Sequence, residues 1–72
     1  MAKVIKAHIT GTVWKIEVKP GDTVEEGTVV VILESMKMEM PVEAEEEGEV
    51  AEVLITEGQA VTEGAALVRL KD

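Results

Sequence analysis

The chain has 72 residues, which fits one domain with a thin core, and it has no cysteine for a disulfide or a thiolate metal site. Fifteen acidic and seven basic residues give a formal net charge of -8, which argues against nucleic acid and membranes as partners. No apolar run approaches the roughly 18 residues of a membrane span and no signal-type segment opens the chain, so we expect a cytoplasmic protein, monomeric as an isolated domain.

An internal repeat with a period of 37 residues organises the sequence. A shift of 37 positions superposes identical residues at glycine and apolar positions alike: Gly11 on Gly48, Gly21 on Gly58, Gly27 on Gly64, Val13 on Val50, Val24 on Val61 and Leu33 on Leu70. We therefore expect a single domain over residues 1–72, built from half-repeats of about residues 1–37 and 38–72.

Short strands separated by glycine turns are predicted in both halves. Four segments have strand character: residues 14–18 and 51–55, in which residues two apart share a face, and residues 29–33 and 66–70, which are apolar and rich in β-branched side chains. Turns at Gly21 and Gly58 close the first segment of each half. No stretch is convincingly helical. Two halves that cannot bury their apolar faces alone would pack as a flattened all-β barrel or sandwich with a pseudo-twofold axis.

Two side chains outside the repeat's glycines were considered for special roles. Trp14 shares the strand parity of Ile16 and Val18, so we expect it to pack in the core, with a partner contact as the alternative. His8 has no acid or nucleophile near it in a recognisable pattern, and we assign it no role. No pair of acids suggests hydrolysis, so we expect no catalytic residue in the chain.

The turn that follows the first apolar run departs from the usual chemistry of hairpins. It reads Ser35-Met36-Lys37-Met38 and contains no Gly, Asn or Asp, the residues that two-residue hairpins prefer. Met36 and Lys37 should therefore take turn angles that cost energy, and such a mismatch marks a candidate functional site. An exposed lysine is usually only solvated. Lys37, however, is flanked by methionines, which offer an adaptable docking surface.

The repeat also predicts where this turn lies in the fold. Subtracting 37 from position 37 gives zero, so the pseudo-symmetric equivalent of Lys37 is the chain terminus. We expect the two chain ends to meet at one pole and Lys37 to project from the opposite pole, an arrangement that suits a presented side chain.

The segment Glu34-Ser35-Met36-Lys37-Met38 resembles the biotin attachment motif of biotin-dependent carboxylases, decarboxylases and transcarboxylases, where Ala is commoner than Ser at the second position. The resemblance covers nearly the whole chain, with further matches to the family's pattern at Gly11, Val24, Gly27, Val42, Ala44 and Gly48. A lone Met-Lys-Met would be a weak signal, but inside this repeat it is strong. The resemblance implies a biotinyl domain, also known as a biotin carboxyl carrier domain, folded as a barrel-sandwich hybrid of two four-stranded antiparallel sheets.

The same resemblance implies the chemistry and the partners. A biotin protein ligase would join biotin to the Lys37 amine as an amide, and the biotin would carry carboxylate from a biotin carboxylase to a carboxyltransferase-type enzyme. The domain would catalyse nothing itself. The ligase or the partner enzymes would recognise the side chains around the lysine: Glu34, Ser35, Met36, Met38 and Glu39.

Two departures from the family's pattern bear on the subclass. Residues 7–11 lack the Pro and Met often found before the first glycine, so the first crossover is expected to differ in shape. The connection through residues 19–22 is too short for the protruding thumb of bacterial acetyl-CoA carboxylase carriers. The resemblance is thus to thumbless domains and to small stand-alone biotin/lipoyl attachment proteins, and the chain is expected to be a free-standing carrier or a trimmed domain.

Three alternatives remain open at the level of sequence. A lipoyl carrier for a 2-oxoacid dehydrogenase complex is the nearest, and one domain could accept both biotin and lipoate, although lipoyl tips usually read Asp-Lys-Ala. Met36, Met38 and Met40 alternate and could bind Cu(I), yet Met36 should lie in the turn and no Cys is present, so we expect no metal site. Unmodified lipoyl-like modules of transport adaptors lack the centred Met-Lys-Met.

Overall fold

The computed structural model describes residues 3–71, and within that range the chain forms eight strands and no helix. The strands are β1 (Lys3–Lys6), β2 (Gly11–Ile16), β3 (Thr23–Val24), β4 (Val29–Ser35), β5 (Met38–Glu43), β6 (Gly48–Val53), β7 (Ala60–Val61) and β8 (Ala66–Leu70). The predicted all-β fold class is confirmed. No helix long and apolar enough to cross a membrane occurs among these residues.

The strands form two four-stranded sheets, and every strand pair in them is antiparallel. One sheet has the order β1-β8-β6-β3 and the other has the order β5-β4-β2-β7. Replacing each strand of the first sheet by the strand 37 residues away gives the second sheet in the same order. The predicted two-sheet architecture and its pseudo-twofold symmetry are therefore confirmed.

The hydrogen bonds that join the halves repeat with the same symmetry. Gly21 N–H donates to the Val50 carbonyl at 2.9 Å, and Gly58 N–H donates to the Val13 carbonyl at 2.7 Å. Both glycines have a φ of 90° or more, which a residue with a Cβ rarely adopts. The glycine spacing of the sequence thus marks the turns where the chain passes from one sheet to the other.

The core lies between the two sheets and is entirely apolar among the residues described. Its most deeply buried members come from both halves and are each at most 1% exposed: Val13, Val24, Val30, Val31, Leu33, Val50, Leu67, Val68 and Leu70. Small β-branched and leucine side chains fill the thin space between the sheets, as expected for a chain with one aromatic residue.

The bounds of two predicted strands differ from the structure. β2 covers Gly11–Ile16 where residues 14–18 were predicted, and β6 covers Gly48–Val53 where residues 51–55 were predicted. Both strands begin three residues earlier because the first glycine of each half opens the strand and does not belong to a turn.

The prediction that Trp14 packs in the core is wrong, because its side chain is 46% exposed. Val13 pairs with Leu33 and Lys15 pairs with Ile32, so Trp14 is the additional residue of a β-bulge. The bulge breaks the alternation of faces along β2. Trp14 consequently lies on the outer side of the sheet although it is two residues from Ile16.

The β4–β5 hairpin turn and the paired residues Lys3 and Leu70 lie at opposite ends of β2. Gly11, at the start of β2, lies against Glu34 beside the hairpin turn. Beyond the end of β2, Gly21 bonds to Val50, which pairs with Leu70 at the end of β8. The hairpin turn is thus far from the Lys3–Leu70 pair in a molecule whose longest extent is 33 Å. The predicted meeting of the chain ends themselves, at residues 1 and 72, lies outside the described residues.

Candidate functional site

The hairpin between β4 and β5 ends in a turn of two residues with left-handed backbone. Ser35 pairs with Met38, which leaves only Met36 and Lys37 in the loop. Their φ angles are 52° and 64°. Positive φ at both central residues is typical of the type I′ turn, whose favoured sequence is Asn-Gly. The predicted conflict between the turn and its residues is confirmed.

The side chains of the turn extend into solvent. Lys37 is exposed, Met36 is 92% exposed and Met38 is 62% exposed. Large apolar side chains are usually buried, so two exposed methionines beside one lysine are unusual. The result is a single amine held at the end of a hairpin between two flexible apolar side chains.

The two glutamates predicted as recognition residues face each other across the hairpin. Glu34 and Glu39 are cross-strand partners, both are exposed, and they lie two residues from the turn on either side. Among residues 3–71 neither takes part in an ion pair; the pairs found there are Lys15–Glu17 at 3.8 Å, Arg69–Glu52 at 3.4 Å and Lys71–Glu49 at 2.8 Å. The flank of the hairpin is therefore acidic beside a cationic tip, and like charges directly opposite each other are destabilising.

Gly11 lets β2 approach the hairpin closely, a role that the sequence pattern did not reveal. A Cβ at this position would lie 2.5 Å from the Glu34 carbonyl oxygen and 3.5 Å from the Ser35 Cβ. Only glycine permits this contact, which supports β4 just before the turn. The glycine was visible in the repeat, but its reason is a contact between strands that are distant in sequence.

The alternatives of a metal site and of a role for His8 can be compared with the described residues. No group of three or more His, Cys, Asp or Glu side chains among residues 3–71 could hold a metal ion. Met36 lies in the turn, so it does not continue the alternation of Met38 and Met40 on β5. His8 is exposed on the loop after β1, where it lines a cleft of 420 Å³ with Lys6.

Fold and site together define a small all-β carrier module that holds out one lysine on a strained hairpin. The particular family follows from comparison with known proteins: a family model described as biotin-requiring enzyme matches residues 1–70, and the chain belongs to this biotin/lipoyl attachment family. The predicted family is confirmed.

Two curated relatives are similar to the chain over nearly their whole length. The biotin/lipoyl attachment protein of Bacillus subtilis is 46% identical, with 94% of this chain and 93% of that protein covered. The biotin carboxyl carrier protein of acetyl-CoA carboxylase from Solanum lycopersicum is 43% identical, with 94% and 97% covered. These relatives are named as attachment and carrier proteins, in agreement with a role as a carrier.

Solved structures of both cofactor classes share the fold. The urea carboxylase of Kluyveromyces lactis contains a similar domain with a TM-score of 0.92 and 35% identity, over 99% of this chain but only 6% of that one. The lipoyl domain of the 2-oxoglutarate dehydrogenase complex from Azotobacter vinelandii has a TM-score of 0.74 and 32% identity, over 94% and 96% of the two chains. The likeness to the carboxylase domain is the greater of these two.

Proposed function

We propose that this chain is a biotin carrier domain and that Lys37 bears the biotin in an amide bond. The observation that supports the site is the turn, in which two residues that disfavour positive φ hold an exposed amine at the end of a hairpin. A turn of Asn-Gly would form more easily, so the presence of Met36 and Lys37 requires a reason other than folding. Family membership supplies the cofactor.

The covalent step follows from the chemistry of an amine and an activated acid. A biotin protein ligase presents biotin as its acyl adenylate. The Nζ atom of Lys37 attacks the acyl carbon, and the new carbon–nitrogen bond forms. The bond between the acyl carbon and the phosphate oxygen breaks, so that AMP leaves, and the amine loses a proton. This domain contributes the placement of the amine. The acidic flank of Glu34 and Glu39 fits a basic ligase surface, and Met36 and Met38 offer apolar contacts.

The bound cofactor and the partner enzymes carry out the carboxylation chemistry. Biotin supplies a ureido nitrogen that takes up a carboxyl group at one active site and releases it at another. Lys37 tethers this group to a rigid hairpin, which raises its local concentration at each active site that the domain visits. The partners in this proposal are a biotin carboxylase and a carboxyltransferase-type enzyme. Residues 1–72 act as one carrier domain, monomeric and cytoplasmic.

Lipoate is the second candidate for the same amine, because a lipoyl domain shares the fold. The flanking Met36 and Met38 resemble the biotin motif and differ from the Asp-Lys-Ala tip of lipoyl domains. The greater likeness to the carboxylase domain points the same way. Both modifications use the same amide chemistry, so the flanks of the lysine decide which ligase accepts the domain.

Intact mass spectrometry tests the proposal directly. The chain is expressed with a biotin protein ligase and excess biotin, beside Lys37→Arg and the matched control Lys15→Arg, which alters an exposed lysine on β2. We expect one biotinyl group on the wild type and on Lys15→Arg, and none on Lys37→Arg. A folded wild-type domain without biotin contradicts the proposal. A parallel reaction with a lipoyl ligase identifies the alternative, because a lipoyl group as the only gain would assign the domain to that class.

A further inference from the structure

An apolar strip runs across the outer face of the sheet that carries the hairpin. We define this outer strip as Trp14, Ile32 and Pro41. Ile32 pairs with Pro41 on one side, and on the other side it faces the bulge of β2, where Trp14 and Lys15 oppose it together. Pro41 is exposed, Ile32 is half-buried and Trp14 is 46% exposed. Trp14, the only Phe, Trp or Tyr residue of the protein, thus lies on the surface and not in the core.

The pseudo-symmetric sheet shows that the fold does not need this strip. There Arg69 stands in place of Ile32, Val4 in place of Pro41, and Ala51 in place of Trp14, with Val4 paired to Arg69 in the same register. Arg69 forms an ion pair with Glu52 at 3.4 Å. One architecture therefore accepts a charged outer face on one sheet and an apolar outer face on the other. The apolar side chains on the outer face of the hairpin sheet therefore need an explanation other than folding.

The outer strip lies on the same face of the sheet as Glu34 and Glu39, and it is farther from the turn than they are. Along β4 away from the turn, Glu34 is the first residue on the outer face and Ile32 is the next, because Leu33 between them is buried. At about 3.3 Å per strand residue, Ile32 is roughly 15 Å from Lys37. A partner that covers the strip therefore meets the carboxylates of Glu34 and Glu39 on the way to the lysine.

We propose that the outer strip is the surface on which the biotin carboxylase docks, through an apolar pocket for Trp14 flanked by basic side chains that face Glu34 and Glu39. This inference rests on the proposed biotin carrier function. Exposed tryptophans are enriched among residues that dominate binding energy, and complementary charge speeds and orients association.

The position of the strip favours the carboxylase over the ligase. In the ligase reaction the Nζ atom of Lys37 itself must enter the active site, so the ligase has to contact the turn. In carboxylation the reacting atom lies at the far end of the biotin, well beyond Nζ. The carboxylase can therefore hold the domain by a surface set back from the turn, and the outer strip is such a surface.

Kinetics with strip and control variants test the proposal. Biotinylated wild type, Trp14→Ala and Val4→Ala serve as substrates of a biotin carboxylase with MgATP and labelled bicarbonate. Trp14→Ala should fold, because its pseudo-symmetric position already holds Ala51, and Val4 is an apolar residue of similar exposure on the opposite outer face. We expect kcat/KM of Trp14→Ala to fall about tenfold or more, mainly through KM, with Val4→Ala near wild type. Ligase kinetics should be unchanged in all three.

A second readout reports contact without any turnover. Because Trp14 is the one tryptophan, 5-fluorotryptophan labelling gives a single ¹⁹F resonance, which should shift or broaden when the carboxylase is added to unbiotinylated domain. Equal kcat/KM for Trp14→Ala and wild type overturns the proposal. So does a biotinylated wild type that the carboxylase does not label, or a loss confined to the ligase reaction. Failure of wild type to become biotinylated refutes the proposed function itself, before any strip variant is compared.

Discussion

Replacing Met36-Lys37 by Asn-Gly should stabilise the domain while it removes the proposed attachment site. The φ angles of 52° and 64° cost ordinary residues about 1–2 kcal/mol each, whereas Asn and Gly adopt them with little penalty. Met36 is 92% exposed, so its truncation gives up almost no buried surface. The greater freedom of glycine in the unfolded chain offsets about 0.5–1 kcal/mol of the gain. The net gain in the free energy of unfolding should be about 1–3 kcal/mol.

Urea and thermal unfolding followed by far-UV circular dichroism measure this gain. For a domain of this size, 1 kcal/mol corresponds to a shift of about 4–8 °C in Tm, so we expect Tm to rise by about 4 °C or more. The single variant Met36→Asn should show part of the rise. Met38→Asn, an exposed change outside the left-handed positions, is the control and should not stabilise. An unchanged or lower Tm for the Asn-Gly variant would refute the idea that the turn is strained.

Two further substitutions test the support of the hairpin. Gly11→Ala should lower the free energy of unfolding by about 2 kcal/mol or more, because its Cβ would lie 2.5 Å from the Glu34 carbonyl oxygen. The control Gly48→Ala should cost less, because its Cβ would meet the flexible Leu70 side chain at 3.1 Å. Equal midpoints of urea unfolding for the two variants would contradict this prediction. Glu39→Gln should stabilise by about 0.2–1 kcal/mol at low salt by removing the charge opposite Glu34. That gain should shrink in 1 M salt, and its persistence there would indicate another cause.

The repeat made most of the fold predictable from the sequence. Equal glycine spacing in both halves predicted paired turns, and it also predicted the symmetry that relates the two sheets. The strained turn was predictable for a similar reason, because Met36 and Lys37 occupy positions where hairpins prefer Asn and Gly. Such local rules depend on neighbours in the chain, so the sequence displays them directly.

The surface role of Trp14 was not predictable by the same rules, because a bulge depends on pairing between strands. A weak signal existed. Val13 and Ile16 are three residues apart, which breaks the alternation of a strand, and Val50 and Val53 repeat this interval in the second half. An interval of three residues indicates a bulge after Val13, and a bulge there puts Trp14 outside the core. The close contact at Gly11 depends in the same way on β4 and was equally hidden.

The strain lies in the two residues of the turn, and the contacts that maintain the turn lie in the neighbouring strands. The cost is confined to Met36 and Lys37, whereas the support comes from six residue pairs between β4 and β5 and from β2 packed along β4. Residues in sparsely populated conformations persist only where the surrounding structure determines them. A turn anchored in this way keeps its shape when its side chains change partners. In the proposed function, the Lys37 amine is then presented in one geometry to a ligase and, once modified, to the partner enzymes.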